Sequence, residues 1–350
     1  MNLEDLARSA GEWLRGTGPN HDIVISSRIR LARNLAGFPF LVRCRPEQRD
    51  EVTTRLRDVI VRASSGQWVF IDVDRSDELD RQFLVERHLI SRQHAAAEGS
   101  RGVAISPTET VSVMVNEEDH LRLQVMRSGL QLDVIWEEID RIDDQIERES
   151  AYAFHARYGY LTACPTNVGT GIRVSVMLHL PALKLTGEIE RVFRAAREMR
   201  LAIRGLFGEG TEYLGDFFQV SNQTTLGRTE QELIHDFKHL VIPRIIDYEH
   251  QARRTLLKER SLVLDDKVWR SFGALQRART MSSEETMLHL SHVRMGISLG
   301  RIEEINLGTV NELFLLTQPA HLQKIRGERL SGEQRSVVRA EYIRRRLSEN

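Results

Sequence analysis

Two arginines stand one residue apart in the segment Ser26-Ser27-Arg28-Ile29-Arg30. Before them, Ile23 and Ile25 alternate with polar neighbours, which predicts an extended chain on which Arg28 and Arg30 point to the same face. Two guanidinium groups side by side can bind phosphate oxygens through paired hydrogen bonds. The segment therefore predicts either a phosphate site or a solvated, arginine-rich edge strand, and its spacing leaves both open.

A second segment, residues 116–122, combines three carboxylates with a histidine and an arginine. If the strand predicted by the alternating apolar residues of 111–125 runs through it, Glu118, His120 and Arg122 share one face. A carboxylate beside an arginine suits a site that handles both a proton and an anion. An acidic turn at the end of a strand is the alternative interpretation.

Two further segments contain glycines. Residues 164–173 form a turn rich in proline, asparagine and glycine that enters a predicted strand, and such glycines would let the backbone approach a ligand closely. A tight hairpin would explain the glycines but not Cys164 or Arg173. The loop of residues 204–212 presents Arg204 and Glu209 but matches neither the Walker A nor the Rossmann motif, and protein-kinase signatures are absent. A nucleotide site in this chain must therefore bind phosphates through arginines.

Hydrophobic periodicity predicts the elements that position these residues. Strands are expected within residues 21–30, 111–125, 172–180 and 216–221, and helices within 46–61, 77–97, 132–149 and 188–200. Capping boxes predict further helix starts at Thr229, Ser282 and Ser331, the first of these helices bending at Pro243.

Strands in tandem favour an α+β fold, an antiparallel sheet flanked by helices, followed by an all-helical C-terminal domain. We expect a helical lead-in over residues 1–20, a catalytic domain over 21–255 and a helical domain over 256–350.

Composition limits the function classes. The 49 basic and 50 acidic residues give a formal net charge of −1, which argues against a nucleic-acid binder. The only cysteines, Cys44 and Cys164, are far apart, which favours a reducing compartment and no structural zinc site. No signal-peptide pattern or long apolar run occurs, so we expect a cytoplasmic protein without a membrane span.

The four segments, taken together, resemble the ATP:guanidino phosphotransferase (phosphagen kinase) family. The stretches SSRIRLAR, NEEDHLR, CPTNVGTGIR and RGLFGEG match its motifs in order, and the resemblance covers roughly residues 22–249. Within the family the chain resembles the bacterial protein-arginine kinase branch. Only about twenty residues precede SSRIRLAR, where kinases of free guanidino compounds have a long helical domain, and the tail around residues 311–319 resembles the branch's C-terminal domain.

The resemblance implies transfer of the γ-phosphoryl group of ATP, with Mg²⁺ held through the nucleotide, to arginine side chains of proteins, marking them for quality control or degradation. It implies that Glu118 is the base, that Glu209 is the second carboxylate on the guanidinium and that Cys164 lies beside that group. The residues it implies for ATP binding are Ser26, Ser27, Arg28, Ile29, Arg30, His88, Arg122, Arg173, Val174, Ser175, Val176, Met177, Arg204, Gly205, Leu206, Phe207, Gly208 and Glu209.

The resemblance also implies partners. These are arginine-containing protein substrates, an activator protein, Clp-type protease machinery and a second copy of the chain. A regulatory phosphoarginine site would use Arg335 and Arg339, although Ser336 stands where the branch has aspartate. An amphipathic tail helix with surface arginines explains the same pattern. The rival functions are a kinase of free arginine or another small guanidino compound and a non-catalytic adaptor.

Overall fold

A computed structural model describes residues 6–7, 10–206 and 214–349 of the chain. Ten strands lie within these ranges: β1 (Val24–Arg33), β2 (Val69–Asp72), β3 (Gly102–Ile105), β4 (Val111–Val115), β5 (Leu121–Ser128), β6 (Phe154–His155), β7 (Gly159–Tyr160), β8 (Ile172–His179), β9 (Leu201–Arg204) and β10 (Phe217–Asn222). Eight of them form one sheet in the order β2-β3-β4-β5-β1-β8-β10-β9, and every neighbouring pair is antiparallel. β1 therefore lies inside the sheet, between β5 and β8.

Thirteen helices of five or more residues lie within the described ranges, apart from a π-helical turn (Phe237–Val241). They are α1 (Pro46–Ala63), α2 (Glu78–Glu86), α3 (Arg92–Ala96), α4 (Leu132–Glu149), α5 (Pro181–Thr186), α6 (Ile189–Glu198), α7 (Glu230–Asp236), α8 (Ile242–Glu259), α9 (Ser261–Arg277), α10 (Ser283–Ser298), α11 (Leu307–Leu316), α12 (Pro319–Arg326) and α13 (Gly332–Ser348). We call α9 to α13 the helical tail. None of the described helices is both long and apolar enough to cross a membrane.

The two faces of β1 differ because successive side chains point to opposite sides of a sheet. Ile29 and Leu31 are fully buried in the core, and Arg33 on the same face pairs with Asp143 of α4. Helix α4 therefore covers that face, and Arg28 and Arg30 point to the other. This alternation places two arginines on an open face of an otherwise apolar strand.

The helical tail is held against the sheet by buried polar contacts as well as by apolar packing. Arg294 of α10, fully buried, donates to the carbonyl oxygens of His21 (2.6 Å) and Asp22 (2.8 Å), which lie just before β1. It also donates to Asn311 Oδ1 at 2.9 Å. A single hydrophobic cluster runs from Trp13 through the sheet to Leu347 of α13. Sheet and tail thus share one core.

The predicted fold class is confirmed, and so are the three capping boxes at Thr229, Ser282 and Ser331. The helix that begins after Thr229 is interrupted by the π-helical turn just before Pro243, where a bend was expected. The predicted lead-in helix falls partly on residues outside the described ranges, and its described part contains a 3₁₀ turn (Glu12–Leu14).

One predicted strand is wrong in detail, and one helix predicted with weak internal breaks is divided in two. The strand expected over residues 111–125 is two antiparallel strands, β4 and β5, joined by a turn at residues 116–120 in which Asn116 has a φ of 59°. The helix expected over residues 77–97 is α2 and α3, separated by a turn that contains His88, with a φ of 59°. In both turns a residue other than glycine adopts the left-handed backbone conformation. Sequence periodicity does not predict such a conformation.

Candidate active site

An open cleft lies on the face of the sheet opposite α4. Its cavity volume is about 660 Å³, and its arginines come from four strands, β1, β5, β8 and β9, and from the short helix α3. Among the described residues that line it are six arginines and one carboxylate: Arg28, Arg30, Arg92, Arg122, Arg173, Arg204 and Glu118. The cleft is therefore strongly cationic, although the whole chain is nearly neutral.

The register of the strands explains how distant arginines meet. Arg30 of β1 lies opposite Arg173 of β8 on one side and Gln124 of β5 on the other. Arg122, two residues before Gln124, faces the same side, and Arg204 of β9 lies opposite Gln219 of β10. Residues directly opposite in a sheet have Cβ atoms about 4.5–5.5 Å apart, so these guanidinium groups converge.

Arg28 has neutral hydrogen-bond partners. It donates to Gln219 Oε1 (2.6 Å), Ser175 Oγ (3.3 Å) and Gln124 Oε1 (3.4 Å). Burial, followed by the charges of Arg122, Arg173 and Arg204, lowers the pKa of Arg28 to about 9.

Arg30 lies in a similar environment on the same face of β1. Burial and the charges of Arg28, Arg122 and Arg173 lower the pKa of Arg30 well below its usual value, and its Nε is buried without a partner among the described residues. A buried cluster of like charges is costly, and a bound polyanion would relieve the cost.

Two adjacent carboxylates, Glu117 and Glu118, have different environments. Glu117 is buried and accepts from Arg122 Nη1 (2.6 Å) and Ser91 Oγ (2.6 Å). Burial alone would raise the pKa of Glu117, but the charge of Arg122 and these hydrogen bonds outweigh it and lower the pKa to about 2. Glu117 is thus a fixed anion that holds Arg122.

Glu118 is exposed to the cleft. Partial burial, together with the charges of Asp119 and Glu117, raises the pKa of Glu118 above its usual value. A carboxylate with a raised pKa that faces a cationic cleft can accept a proton from a bound group. Its role as the base stays a prediction.

His120 does not share the cleft face with Glu118 and Arg122, contrary to our expectation. It belongs to the turn before β5 and is fully buried, with Nδ1 accepting from the Leu35 backbone N–H (3.1 Å) and Nε2 donating to Pro39 O (3.0 Å). The alternation begins only where the strand begins, at Leu121.

His88 lines the cleft from the turn after α2. The edge of Trp13 packs against its ring with centroids 4.8 Å apart, and its carbonyl oxygen accepts from Gln124 Nε2 at 2.8 Å. Burial, followed by the charges of Arg28, Arg92 and Arg30, lowers the pKa of His88 to about 3. The imidazole is therefore neutral at physiological pH.

Cys164 also lines the cleft, with Sγ 3.0 Å from Thr166 Oγ1. The nearby glycines allow close packing of the chain, and Gly171 also lines the cleft. Gly171 has a φ of 66°, and a Cβ there would lie 2.6 Å from Ala32 O. A Cβ on Gly169 would crowd the backbone of Leu226. Gly171 therefore lets β8 start close beside β1.

The remaining predicted ATP-binding residues divide by face. Ser175 and Met177 lie on the arginine face and, with Ser26, line a small cavity beside Arg28. The buried side chains on the other face are those of Ser27, Ile29, Val174 and Val176. Ser27, for example, donates to Gly129 O at 2.6 Å. Sequence reasoning assigned these residues together with their neighbours, but strand alternation keeps their side chains out of the cleft.

The fourth segment is described only in part. Leu206 lines the cleft after Arg204, and Gly205 is buried beside it. Phe207, Gly208 and the predicted second carboxylate Glu209 lie outside the described residues.

Arg335 and Arg339 lie on α13 and are not among the described residues that line the cleft. Arg339 is buried and donates to Thr317 O (2.9 Å) and Met281 O (2.9 Å), and Arg335 donates to Leu330 O (2.8 Å). Their use as a phosphoarginine site stays a prediction, and it would require Arg339 to exchange backbone carbonyls for a phosphate.

Sequence reasoning missed several residues of the cleft. Arg92 is a sixth arginine, four residues after His88, and Gln124 and Gln219 supply amide partners to Arg28. The alternation predicted for residues 111–125 puts Gln124 on the face of Arg122, so that signal was present for Gln124 but not for Gln219. The predicted alternation placed Glu118 beside Arg122, but the structure pairs Arg122 with Glu117, because residues 116–120 form a turn and not a strand.

Two family descriptions match the chain. ATP:guanido phosphotransferase, C-terminal catalytic domain, matches residues 51–252. Protein-arginine kinase McsB C-terminal domain matches residues 261–350. The protein-arginine kinase of Halothermothrix orenii is 47% identical over 349 residues, covering 99% of this chain and 100% of that protein. That of Geobacillus stearothermophilus is 43% identical over 339 residues, covering 96% and 93%.

Solved structures are similar to about two thirds of this chain. The duplicated taurocyamine kinase of Schistosoma mansoni, with bound transition-state analogue components, has a TM-score of 0.61 and 26% identity, covering 67% of this chain and 34% of that chain. A lombricine kinase has a TM-score of 0.56 and 26% identity, covering 65% of this chain and 66% of that chain. The match thus spans about a third of the duplicated enzyme.

Proposed function

Because the chain belongs to the ATP:guanido phosphotransferase family, in its protein-arginine kinase branch, we propose that the cleft binds ATP and transfers its γ-phosphoryl group to an arginine side chain of a protein. The observation that supports this use of the cleft is its charge. Six arginines face one carboxylate among its described lining residues, and Arg28 and Arg30 are partly buried among neutral or like-charged neighbours. A triphosphate supplies the missing negative charge.

The arginines act by position and charge. Phosphoryl transfer passes through a loose transition state whose charge is spread over the phosphoryl oxygens, so fixed cations aimed at those oxygens lower the barrier. Arg28 is held by Ser175, Gln124 and Gln219, and Arg122 is held by Glu117. These cations are preorganised before the nucleotide arrives, because the sheet fixes their backbones and neighbouring side chains hold their guanidinium groups.

Glu118 is the proposed base. The acceptor guanidinium keeps its proton at neutral pH, since its pKa lies above about 12. As a guanidinium nitrogen bonds to the γ-phosphorus, the bond from that phosphorus to the bridging oxygen breaks, ADP leaves and Glu118 takes the nitrogen's proton. Glu209 is proposed as a second carboxylate that orients the planar group through paired hydrogen bonds.

The cofactors follow from the same arrangement. Mg²⁺ is proposed to enter with ATP, bound to phosphate oxygens and water, as is usual for this ion in kinase sites. It supplies positive charge to the transferring group. A cytoplasmic location is proposed because an ATP-dependent enzyme with two free thiols, Cys44 and Cys164, suits a reducing compartment. An activator, Clp-type machinery and a homodimer stay predictions from the resemblance.

The test compares two acceptors at equal arginine concentration, free arginine and an arginine-containing unfolded protein, with radiolabelled ATP. We expect higher kcat/KM on the protein and a product whose N–P bond is acid-labile and survives alkali. The Glu118→Gln variant controls for contaminating kinases. An equal or higher kcat/KM on free arginine would replace the proposal with a kinase of small guanidino compounds. Phosphoserine as the product would overturn guanidino transfer altogether.

A further inference from the structure

The turn that places His88 in the cleft is hydrogen-bonded to the helical tail through Glu86 and Arg87, the two residues before His88. Glu86, the last residue of α2, accepts from the backbone N–H groups of Ala320 (2.8 Å) and His321 (3.1 Å) in the first turn of α12. It also accepts from His321 Nδ1 at 2.7 Å. Arg87, which is fully buried, donates Nη1 to His321 Nε2 at 3.1 Å.

The chemistry of these groups fixes the protonation of His321. Arginine can only donate, so Nε2 is the acceptor and the ring proton lies on Nδ1, from which it is donated to Glu86. Burial, followed by the charge of Arg87, lowers the pKa of His321 well below its usual range, in agreement with a neutral ring. One imidazole thus holds two consecutive residues through its two nitrogens. The ring also packs on Phe83 of α2, with centroids 4.5 Å apart.

His88 has a backbone that needs such support. Its φ of 59° is a left-handed conformation that costs energy for a residue with a β-carbon. Such conformations persist where the surroundings over-determine them. On one side Gln124 donates to the His88 carbonyl oxygen. On the other, Arg87 is fixed by His321 and by a bidentate pair with Glu109 (2.7 and 2.5 Å).

We propose that His321 is a positioning residue for nucleotide binding, which holds Glu86 and Arg87 so that His88 completes the wall of the cleft. The inference rests on the proposed function, because it takes the cleft as the ATP site. The helical tail would then contribute to the kinase reaction, although the described residues that line the cleft include none from α12.

The experiment measures the ATP dissociation constant and, separately, KM and kcat for His321→Ala, His321→Gln and His321→Asn in the full chain. We expect the alanine variant to weaken ATP binding about tenfold or more, the ratio that corresponds to losing a buried hydrogen bond to a charged group. KM for ATP should rise while kcat changes less, since no arginine of the cleft is touched. Glutamine can still accept from Arg87, so it should restore part of the affinity.

His292→Ala and His292→Gln are the matched controls. His292 is buried in the same helical tail and hydrogen-bonded to Ser271 (2.9 Å), but it contacts neither Glu86 nor Arg87. If His321 only stabilises the fold, substitutions at His321 and at His292 should both lower the melting temperature and leave the ATP dissociation constant unchanged. Should His321→Ala not fold, the glutamine and asparagine variants give the comparison.

The outcomes separate the two proposals. If the wild-type protein transfers phosphoryl groups to arginine and the His321 variants bind ATP with unchanged affinity, only the inference about His321 is overturned. Weakened ATP binding in these variants, with no transfer to arginine by the wild type, supports the inference and overturns the proposed function. Failure of the wild type to bind ATP overturns both.

Discussion

Strand β1 carries arginines on both faces, buried on one and partly buried on the other, and their surroundings differ. On the face covered by α4, Arg33 bonds to Asp143 (2.7 Å), and its guanidinium lies 3.7 Å from the centroid of the Tyr160 ring. On the cleft face, Arg28 meets neutral amides and a hydroxyl, and Arg30 lies among other arginines. A buried arginine is therefore not in itself the mark of a ligand site. Arg28 and Arg30 indicate such a site because they share one cleft and form no salt bridge with a described residue.

The adjacent carboxylates Glu117 and Glu118 differ in the same way. Glu117 is neutralised by Arg122 and fixed, whereas Glu118, the next residue, faces the cleft with its pKa raised. Charges that are paired within the protein hold the structure. Arg28, Arg30 and Glu118 form no salt bridge with a described residue and face the cleft, where they are available to a substrate. The following experiments test this division.

The largest effect is expected from removing an arginine of the cleft. Arg173→Ala and Arg204→Ala should lower kcat by about 10³-fold or more while raising KM for ATP less, since charge near the γ-phosphoryl counts most in the transition state. Steady-state kinetics on a protein acceptor gives both constants. A change confined to KM would make these residues nucleotide anchors.

Replacing the cleft carboxylate should have the next largest effect. Glu118→Gln should lower the rate of transfer by about 10²–10⁴-fold, because the amide cannot take a proton, and leave the ATP dissociation constant nearly unchanged. Glu117→Gln is the matched control, and it should instead weaken ATP binding by releasing Arg122. Wild-type turnover in the Glu118 variant would show that another group is the base.

Stability should separate the two faces of β1. Arg33→Met leaves Asp143 buried without its partner and should lower the free energy of unfolding by about 3–5 kcal/mol. Arg30→Met removes an uncompensated charge and should leave the free energy of unfolding unchanged or raise it by about 1–4 kcal/mol. Denaturant unfolding without nucleotide measures both. Equal losses at the two positions would contradict the division into paired and unpaired faces.

The smallest effect concerns pH. Glu118 must be ionised to accept a proton, and its pKa is raised by burial and by Asp119 and Glu117. As the pH falls, kcat/KM should therefore begin to decline at a higher pH than it would with a glutamate of ordinary pKa. Above the raised pKa, kcat/KM should be constant. A pH–rate profile checks this. The acidic limb should disappear from the residual activity of Glu118→Gln.

Much of the fold was predictable because its signals are local. Strand alternation placed Arg28 and Arg30 on one face, capping boxes located three helix starts, and the motif order identified the family. In each case the information lies within a few residues, where backbone geometry alone relates one side chain to the next. The grouping of the predicted arginines in one cleft followed from the family and is consistent with the strand order.

The tertiary structure alone decided which charges are neutralised. Arg33 and Asp143 are 110 residues apart, Arg87 and His321 are 234 apart, and nothing in either local sequence indicates the partner. Likewise, two neighbouring glutamates differ only because Ser91 and Arg122 reach one of them. The sequence determined that this chain has the residues of a guanidino kinase. Packing determined which of those residues hold the structure and which are left for the substrate, since the cost of a buried charge depends on what lies within a few ångströms of it.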